Sequence, residues 1–224
     1  MVSQGRSISQ ARTEATTAIL DAAERLLIEV GYGAISTRKL AEEAGVNAGL
    51  IHYYFGSMEE VFLQVLERFT ARLTQRQVAM YGSDLPFIQK WRTAMRYLVE
   101  DRESGYQKLL FELQAMAWNR PEMRERIRGV FRRWDAIVTD AMAAGMRELG
   151  IDPRQYPVEA VACLVIAFNK AIMLDSLMGH DFGHRELLDM VDRLLSQLDR
   201  QRQEQGGGGG DEGAAAGPGR LHRA

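Results

Sequence analysis

Apolar residues recur along most of the chain with the spacing of an amphipathic helix rather than the alternation of a strand. The first such segment runs from about residue 11 to 30, with Ile19, Ala23 and Leu26 on one face, and Gly31 ends it. Comparable rows continue to about residue 203, without Asn-Gly or Asp-Gly hairpin turns between them. The pattern therefore predicts an all-α protein of about nine helices.

Capping signals set the boundaries of the short helices near the N-terminus. Ser36 can cap a helix that Gly45 ends, and Asn47 can cap a second one through about residue 54. Ser57 and Glu60 fit a capping box, in which the hydroxyl accepts from an N–H and the carboxylate reaches back. A long fourth helix begins there and links a small N-terminal part to a larger helical body.

The two short helices and their connection are typical of a helix-turn-helix. A steep crossing needs a residue that tolerates positive φ, which Gly45 supplies. The run Asn47-Ala48-Gly49 places small side chains at a helix start, where backbone N–H groups approach phosphates and base edges. Tyr53 and Tyr54 offer rings and hydroxyls to the sugar-phosphate wall. We therefore predict that this part binds double-stranded DNA.

This stretch resembles the DNA-binding domain of the TetR (tetracycline-repressor-like) family. The residues that carry the resemblance are Gly31-Tyr32, Ser36, Leu40-Ala41, Ala44-Gly45-Val46, Ile51, Tyr54-Phe55 and Ser57. The strong match covers about residues 11–66, and beyond it only the order and length of the helices agree. The resemblance implies a ligand-responsive transcriptional regulator, a repressor released from operator DNA by a small-molecule effector.

The resemblance also implies which side chains face DNA. They are Ser36, Arg38, Lys39, Asn47, Ala48, Gly49, His52, Tyr53 and Tyr54. Two positions depart from the family pattern, since His52 replaces a common Tyr and Met58 replaces a common Lys. We expect His52 to contact bases, because an imidazole donates or accepts at a base edge. We expect Met58 to remove one phosphate contact and weaken non-specific binding. Arg6 and Arg12 either follow the DNA backbone or are ordinary surface charges.

The charge of the chain supports DNA binding only through the local placement of basic residues. The chain has 28 Lys and Arg against 30 Asp and Glu, so a net charge of −2 argues against a general polyanion binder. One arginine-rich helix is either a second nucleic-acid surface or, as we favour, the solvated face of an amphipathic helix. Its arginines are Arg120, Arg124, Arg126, Arg128, Arg132 and Arg133.

The last two predicted helices, residues 158–179 and about 185–201, have more apolar surface than a monomer would bury. The family resemblance implies a homodimer, in which two copies form an intermolecular four-helix bundle. A two-fold dimer places two recognition helices about 34–36 Å apart on a near-palindromic operator. Asn169, Lys170 and Asp175 interrupt the first of these helices, and they either edge the dimer interface or anchor a ligand.

Aromatic and methionine side chains of the body are candidates for the lining of an effector pocket. Their chemistry suits an apolar or aromatic small molecule. The candidates are Trp91, Met95, Phe111, Met116, Trp118, Trp134, Asn169 and Met173. Each of them is equally compatible with an ordinary core position.

Signals for other chemistry are weak. The single cysteine, Cys163, cannot form an internal disulfide, and its apolar surroundings suggest a core position. His180 and His184 stand in a glycine-flanked loop, so we expect no metal site. The sequence has no recognisable catalytic constellation, and we expect neither an enzyme nor a cofactor. The alternatives are an all-helical small-molecule-binding protein or enzyme with a structural N-terminal part, and an unregulated architectural DNA-binding protein.

We divide the chain into a helix-turn-helix domain with its arm (residues 1–56), an effector-binding and dimerisation domain (57–203) and a Gly-rich tail (204–224). The tail cannot bury enough apolar surface to offset its ordering entropy, so we expect it to be disordered. No uncharged apolar run approaches the ~18 residues that span a bilayer, and the N-terminus lacks an apolar signal core. We therefore expect a cytoplasmic protein with no membrane partner.

Overall fold

The computed structural model describes residues 2–207, with side chains described for residues 9–205. This part of the chain folds into nine α-helices and two short 3-10 turns, without strands, so the all-α prediction is confirmed. The N-terminal helices are α1 (Val2–Glu29), α2 (Thr37–Ala44), α3 (Ala48–Phe55) and α4 (Met58–Tyr81). The helices of the body are α5 (Phe87–Glu100), α6 (Tyr106–Ala117), α7 (Pro121–Leu149), α8 (Val158–Leu177) and α9 (His184–Gly207).

The predicted capping side chains lie at the helix starts. Ser36, Asn47 and Ser57 each accept a hydrogen bond from a backbone N–H of the following helix, at 3.2, 2.8 and 3.2 Å. The returning half of the capping box was predicted wrongly. The Glu60 carboxylate pairs with the Arg126 guanidinium of α7, because a charged partner binds a carboxylate more strongly than a neutral N–H.

The first hydrophobic core joins α1–α4 to α6 and to the start of α7. Its fully buried members include Ile19, Leu40, Ile51, Leu66 and Leu109. Because the first half of α4 packs among α1–α3, this core runs across the boundary predicted between residues 56 and 57. The division into two domains at that point stays a prediction.

A second core lies at the opposite end of the body. It is built from α5, α7 and α8, and it includes Phe87, Trp91, Met142 and Val165. The Phe87 ring lies directly against Gly145, where an added Cβ would stand 2.4 Å from the ring. Only glycine therefore allows α5 and α7 to approach this closely.

Ion pairs hold α4 and α7 together along their length. Arg120 pairs with Glu59 at 3.2 Å, and Arg126 pairs with Glu67 at 2.9 Å in addition to Glu60. Further along the basic face, Arg128 and Arg132 pair with Glu125 of the same helix, and Arg124 bonds the last carbonyls of α6. Five of the six arginines therefore serve contacts within the protein, as expected for an amphipathic surface helix.

The C-terminal helix is longer than predicted. It continues through residues 204–207 of the predicted tail, and residues 208–224 lie outside the described residues.

Candidate nucleic-acid interface and effector cavity

A glycine turn sets the angle between α2 and α3. Gly45 adopts the left-handed conformation (φ 65°, ψ 31°), and its N–H donates to the carbonyls of Ala41 and Glu42. Ile51 and Phe55 of α3 are buried in the first core, which fixes the rotation of this helix. The opposite face of α3 therefore projects from the protein surface.

The predicted DNA-facing residues lie on α2, α3 and the caps that precede these helices, and most of them are exposed. Ser36, Arg38, Asn47, Gly49, His52 and Tyr53 are exposed, and Lys39, Ala48 and Tyr54 are half-buried. Tyr53 is 78% exposed and stands edge-on to the Tyr54 ring, at a centroid distance of 5.1 Å. Because Ala48 and Tyr54 pack partly on the first core, each can offer only its outer side to a ligand.

His52 has one ring nitrogen engaged. Its Nδ1 lies 3.3 Å from the Gly56 carbonyl oxygen, just beyond the end of α3. If the neutral ring donates from Nδ1 to that carbonyl, Nε2 is left as an acceptor on the exposed side. The contact thus orients the imidazole and leaves one nitrogen available to a base edge.

The structure places Arg12 and Met58, two residues close to α3 whose roles the sequence analysis discussed. The Arg12 guanidinium lies 5.9 Å above the Tyr54 ring, which places this part of α1 next to the recognition helix. The side chain of Arg6 lies outside the described residues. Met58 packs partly against the first core, so its side chain contributes to packing where a Lys would offer a charge.

A cavity of about 130 Å³ lies in the body, between α4, α5, α6, α7 and α8. Four of the eight predicted effector-site residues line it, namely Met95, Trp134, Asn169 and Met173. The sequence analysis missed several other lining residues, among them Gln77, Tyr81, Asp101, Tyr106, Gln107 and Phe131, whereas Lys170 had been named as a possible ligand anchor. Gln77 and Gln107 carried a usable signal, since each is a polar residue within a buried apolar row.

The other four predicted pocket residues lie elsewhere. Trp91 belongs to the second core, where its ring meets Phe168. Met116 accepts a hydrogen bond from the Tyr32 hydroxyl at 3.1 Å, at the junction with the N-terminal helices. Phe111 is half-buried on α6 outside the cavity lining, and Trp118 is 68% exposed just after α6. The spacing of apolar residues could not distinguish these positions from cavity positions. On α6 this is because the helix packs against its neighbours on several sides.

Burial controls the electrostatics of the cavity wall. Asp101 pairs with Arg76 at 2.5 Å, yet burial raises the pKa of its carboxyl above the ordinary value. Burial also raises the pKa of Tyr81 to about 12. The Lys170 ammonium lies 4.4 Å from the centre of the Phe131 ring, at an exposed position.

Asn169 and Lys170 therefore belong to the cavity wall, whereas Asp175 has a different place. Its carboxylate lies 3.1 Å from Nε2 of His184, and Asp181 lies 3.5 Å from Nδ1 of the same ring. These contacts connect the end of α8 to the start of α9.

The outer side of α8 forms an unpartnered apolar face. Its best 18-residue window has a mean hydropathy of 1.8, yet only 11% of that window is buried, and by length and composition alone α8 could cross a membrane. Leu164 is 67% exposed. Cys163 is also exposed on this face, so its predicted place in the core was wrong. The residues of this α8 face are Ala160, Cys163, Leu164, Ala167, Ala171, Leu174 and Met178.

Comparison with known proteins agrees with this geometry. Residues 19–65, which span the last part of α1 through the first part of α4, match the family of bacterial regulatory proteins, tetR family. An uncharacterized HTH-type transcriptional regulator of Mycobacterium tuberculosis is 25% identical over 199 residues, 85% of this chain and 97% of the relative. Residues 19–65 thus carry a helix-turn-helix of the tetR type, and the chain as a whole is similar to HTH-type transcriptional regulators.

Two further transcriptional regulators extend the comparison beyond the N-terminal helices. EthR of M. tuberculosis is 28% identical over 164 residues, 72% of this chain and 75% of EthR. The crystal structure of FadR from Bacillus subtilis in complex with stearoyl-CoA has the same fold, with a TM-score of 0.63 at 17% identity. That likeness covers 80% of this chain and 96% of FadR. The shared fold thus extends through the body that contains the cavity and the α8 face.

Proposed function

We propose that this chain is a homodimeric TetR-type repressor that binds a near-palindromic operator and is released by a small-molecule effector. The α3 surface carries the proposal, because buried Ile51 and Phe55 hold a rigid helix with Asn47, His52 and Tyr53 exposed together. Asn47 and Gly49 stand at the start of α3, where backbone N–H groups favour phosphate oxygens. Arg38 and Arg12 supply local positive charge in a chain whose net charge is −2.

The α8 face supports the dimer. A contiguous apolar surface of this kind is costly in water, and a second copy of the same helix pair would cover it by two-fold symmetry. Small side chains at Ala160, Cys163, Ala167 and Ala171 allow two such helices to approach closely. Exposed charges at Glu159 and Lys170 favour a protein partner over the interior of a bilayer. A cytoplasmic location goes with this proposal.

The cavity supports the effector. It lies next to α4 and α6, which both also pack in the first core with the DNA-binding helices. A molecule that prefers one arrangement of these helices would shift the spacing of the two recognition helices, and a coupling of about 1–3 kcal/mol changes DNA affinity about 5–150-fold.

A salt-titrated gel shift with the DNA upstream of the protein's own coding sequence tests the proposal. We expect a discrete complex that weakens as salt rises, and mass measurements that give two protomers per site. Candidate effectors added to the same assay test release. A monomer that binds no oligonucleotide at low ionic strength would contradict the proposal and favour a small-molecule-binding protein with a structural N-terminal part.

A further inference from the structure

The cavity wall has an excess of hydrogen-bond acceptors. Gln77, Gln107 and Asn169 all line the cavity, and within the described residues the amide oxygen of each is buried without a hydrogen-bond partner. Buried amide oxygens are almost always paired in folded proteins. Three unpaired ones around a single cavity make it a suitable site for a molecule that donates hydrogen bonds.

The orientation of Gln107 is fixed by its neighbour. Its side chain is almost completely buried, with 2% exposure, and its Nε2 donates to the Leu98 carbonyl at 3.1 Å. Turning the amide by half a rotation would bring its oxygen against that carbonyl oxygen, where two acceptors repel each other. Gln107 therefore keeps its oxygen as the free end of the amide.

One donor and one buried charge of the wall are already engaged. The Trp134 indole N–H donates to the Tyr106 hydroxyl at 2.9 Å, and Asp101 is paired with Arg76. The remaining charged residues of the lining, Asp135 and Lys170, are both exposed. A charged molecule entering the cavity would lose its hydration without meeting an unpaired buried counter-charge. The wall thus favours an uncharged occupant.

The size of the cavity limits the occupant to about one ring. A dry cavity of about 150 Å³ holds a benzene molecule, and the cavity here is about 130 Å³. Apolar side chains such as Met95, Phe131 and Met173 line the rest of the wall and suit a hydrocarbon body.

We propose that the effector is a compact, uncharged molecule of about one ring that carries O–H or N–H donors, with the Gln107 oxygen as its main acceptor. This inference rests on the proposed function, because it specifies the chemistry of the proposed effector site. It refines the expectation of an apolar or aromatic effector by requiring a hydrogen-bond donor on an otherwise apolar body.

Calorimetry on the full chain with phenol and toluene tests the requirement for a donor. The two probes have the same ring and the same number of heavy atoms, but only phenol has an O–H. We expect phenol to bind about tenfold more tightly than toluene, as one net hydrogen bond allows. Benzoate, a charged ring, should bind more weakly than phenol.

Variants on α6 assign the preference to Gln107. Gln107→Met should reduce the phenol preference to less than about threefold, whereas Gln114→Met, on the same helix but outside the cavity lining, should preserve it. If Gln107→Met fails to fold, Gln77→Met with exposed Gln75→Met as its control makes the same comparison on α4.

Equal affinities for phenol and toluene, absence of binding by either probe, or tighter binding of benzoate would overturn the inference. A preference that survives both Gln107→Met and Gln77→Met would overturn it as well. Failure of the proposed function is distinguishable, because it appears as lost operator binding in a gel shift without any probe. Calorimetry still measures the donor preference in that case.

Discussion

The α2–α3 pair and the α8–α9 pair are both exposed on one side, but they differ in how completely their apolar side chains are buried within one chain. Each short N-terminal helix buries two apolar residues, ends at a glycine and begins at a side-chain cap. By contrast, α8 buries only Ala162, Val165 and Ile172 and leaves large apolar side chains exposed. The first pair is complete within one protomer, whereas the second leaves an apolar surface in water that the proposed dimer would cover.

Exposed side chains in this molecule are therefore of two kinds, and each kind suits a different partner. Exposed polar and aromatic groups on a helix fixed by its core are suited to a hydrated, charged partner such as DNA. Exposed leucine, methionine and small residues in one row are suited to another helix. The following substitutions test whether the two surfaces behave in these two ways.

Leu164→Glu should have the largest effect. A carboxylate in the centre of the α8 face would be desolvated in a dimer, so we expect monomers in sedimentation. A monomer would lose the gain from binding two linked half-sites, and operator affinity should fall about 100-fold or more.

Val99→Glu is the matched control, because Val99 is an exposed valine on α5, away from the α8 face. It should stay dimeric. The single Cys163 gives an independent measurement, since a short bifunctional thiol reagent should join two chains in the native protein and fail to do so in Leu164→Glu. A Leu164→Glu dimer with native affinity would place the interface elsewhere.

Ile51→Ala should have the next largest effect, and it acts on the other surface. Ile51 is fully buried in the first core, so its truncation leaves a cavity and should lower the free energy of unfolding by about 2–5 kcal/mol. Chemical denaturation measures this loss. Half-buried Leu50 on the same helix provides the control, and Leu50→Ala should cost clearly less. Equal losses would mean that Ile51 does not anchor α3.

His52→Ala should change specificity without changing assembly. Loss of the exposed imidazole removes about 1–3 kcal/mol of discrimination if His52 contacts a base edge. Competition gel shifts with operator and random DNA measure this ratio, while sedimentation and far-UV circular dichroism should stay native. Unchanged discrimination would exclude His52 from base contact.

Met58→Lys should have the smallest effect and the opposite direction. It restores the lysine that the TetR pattern commonly has at the start of α4, so one more phosphate contact should form. The slope of log K against log salt should steepen by about 0.9, with tighter non-specific binding at low salt. An unchanged slope would show that a side chain at position 58 does not reach the DNA backbone.

The sequence predicts local structure well where a single residue type decides it. Ser36, Asn47 and Gly45 determine helix ends through their own side chains or backbone freedom, so their roles could be inferred one by one. Glu60 differs because its partner, Arg126, lies 66 residues away along the chain. The sequence contains no local sign of that pairing.

The cavity was harder to predict than the α3 surface for the same reason. Trp91 and Trp134 are both tryptophans on amphipathic helices, yet one fills the second core and the other lines the cavity. Helical periodicity gives the buried side of a helix but not the neighbour on that side. Cys163 illustrates the opposite error, since it lies on an apolar helix yet is exposed, and the proposed dimer would account for this.

The two ends of α6 contact different parts of the molecule. Gln107 lies near its first turn, at the cavity, and Met116 near its last, bonded to Tyr32 of the N-terminal helices. Twelve residues of α-helix make a rod about 18 Å long, and a tilt of about 5° displaces one end of such a rod by roughly 1.5 Å relative to the other. If the proposed effector binds at the cavity, the side chains that recognise it could therefore change in evolution while the contact between α6 and the N-terminal helices stays the same.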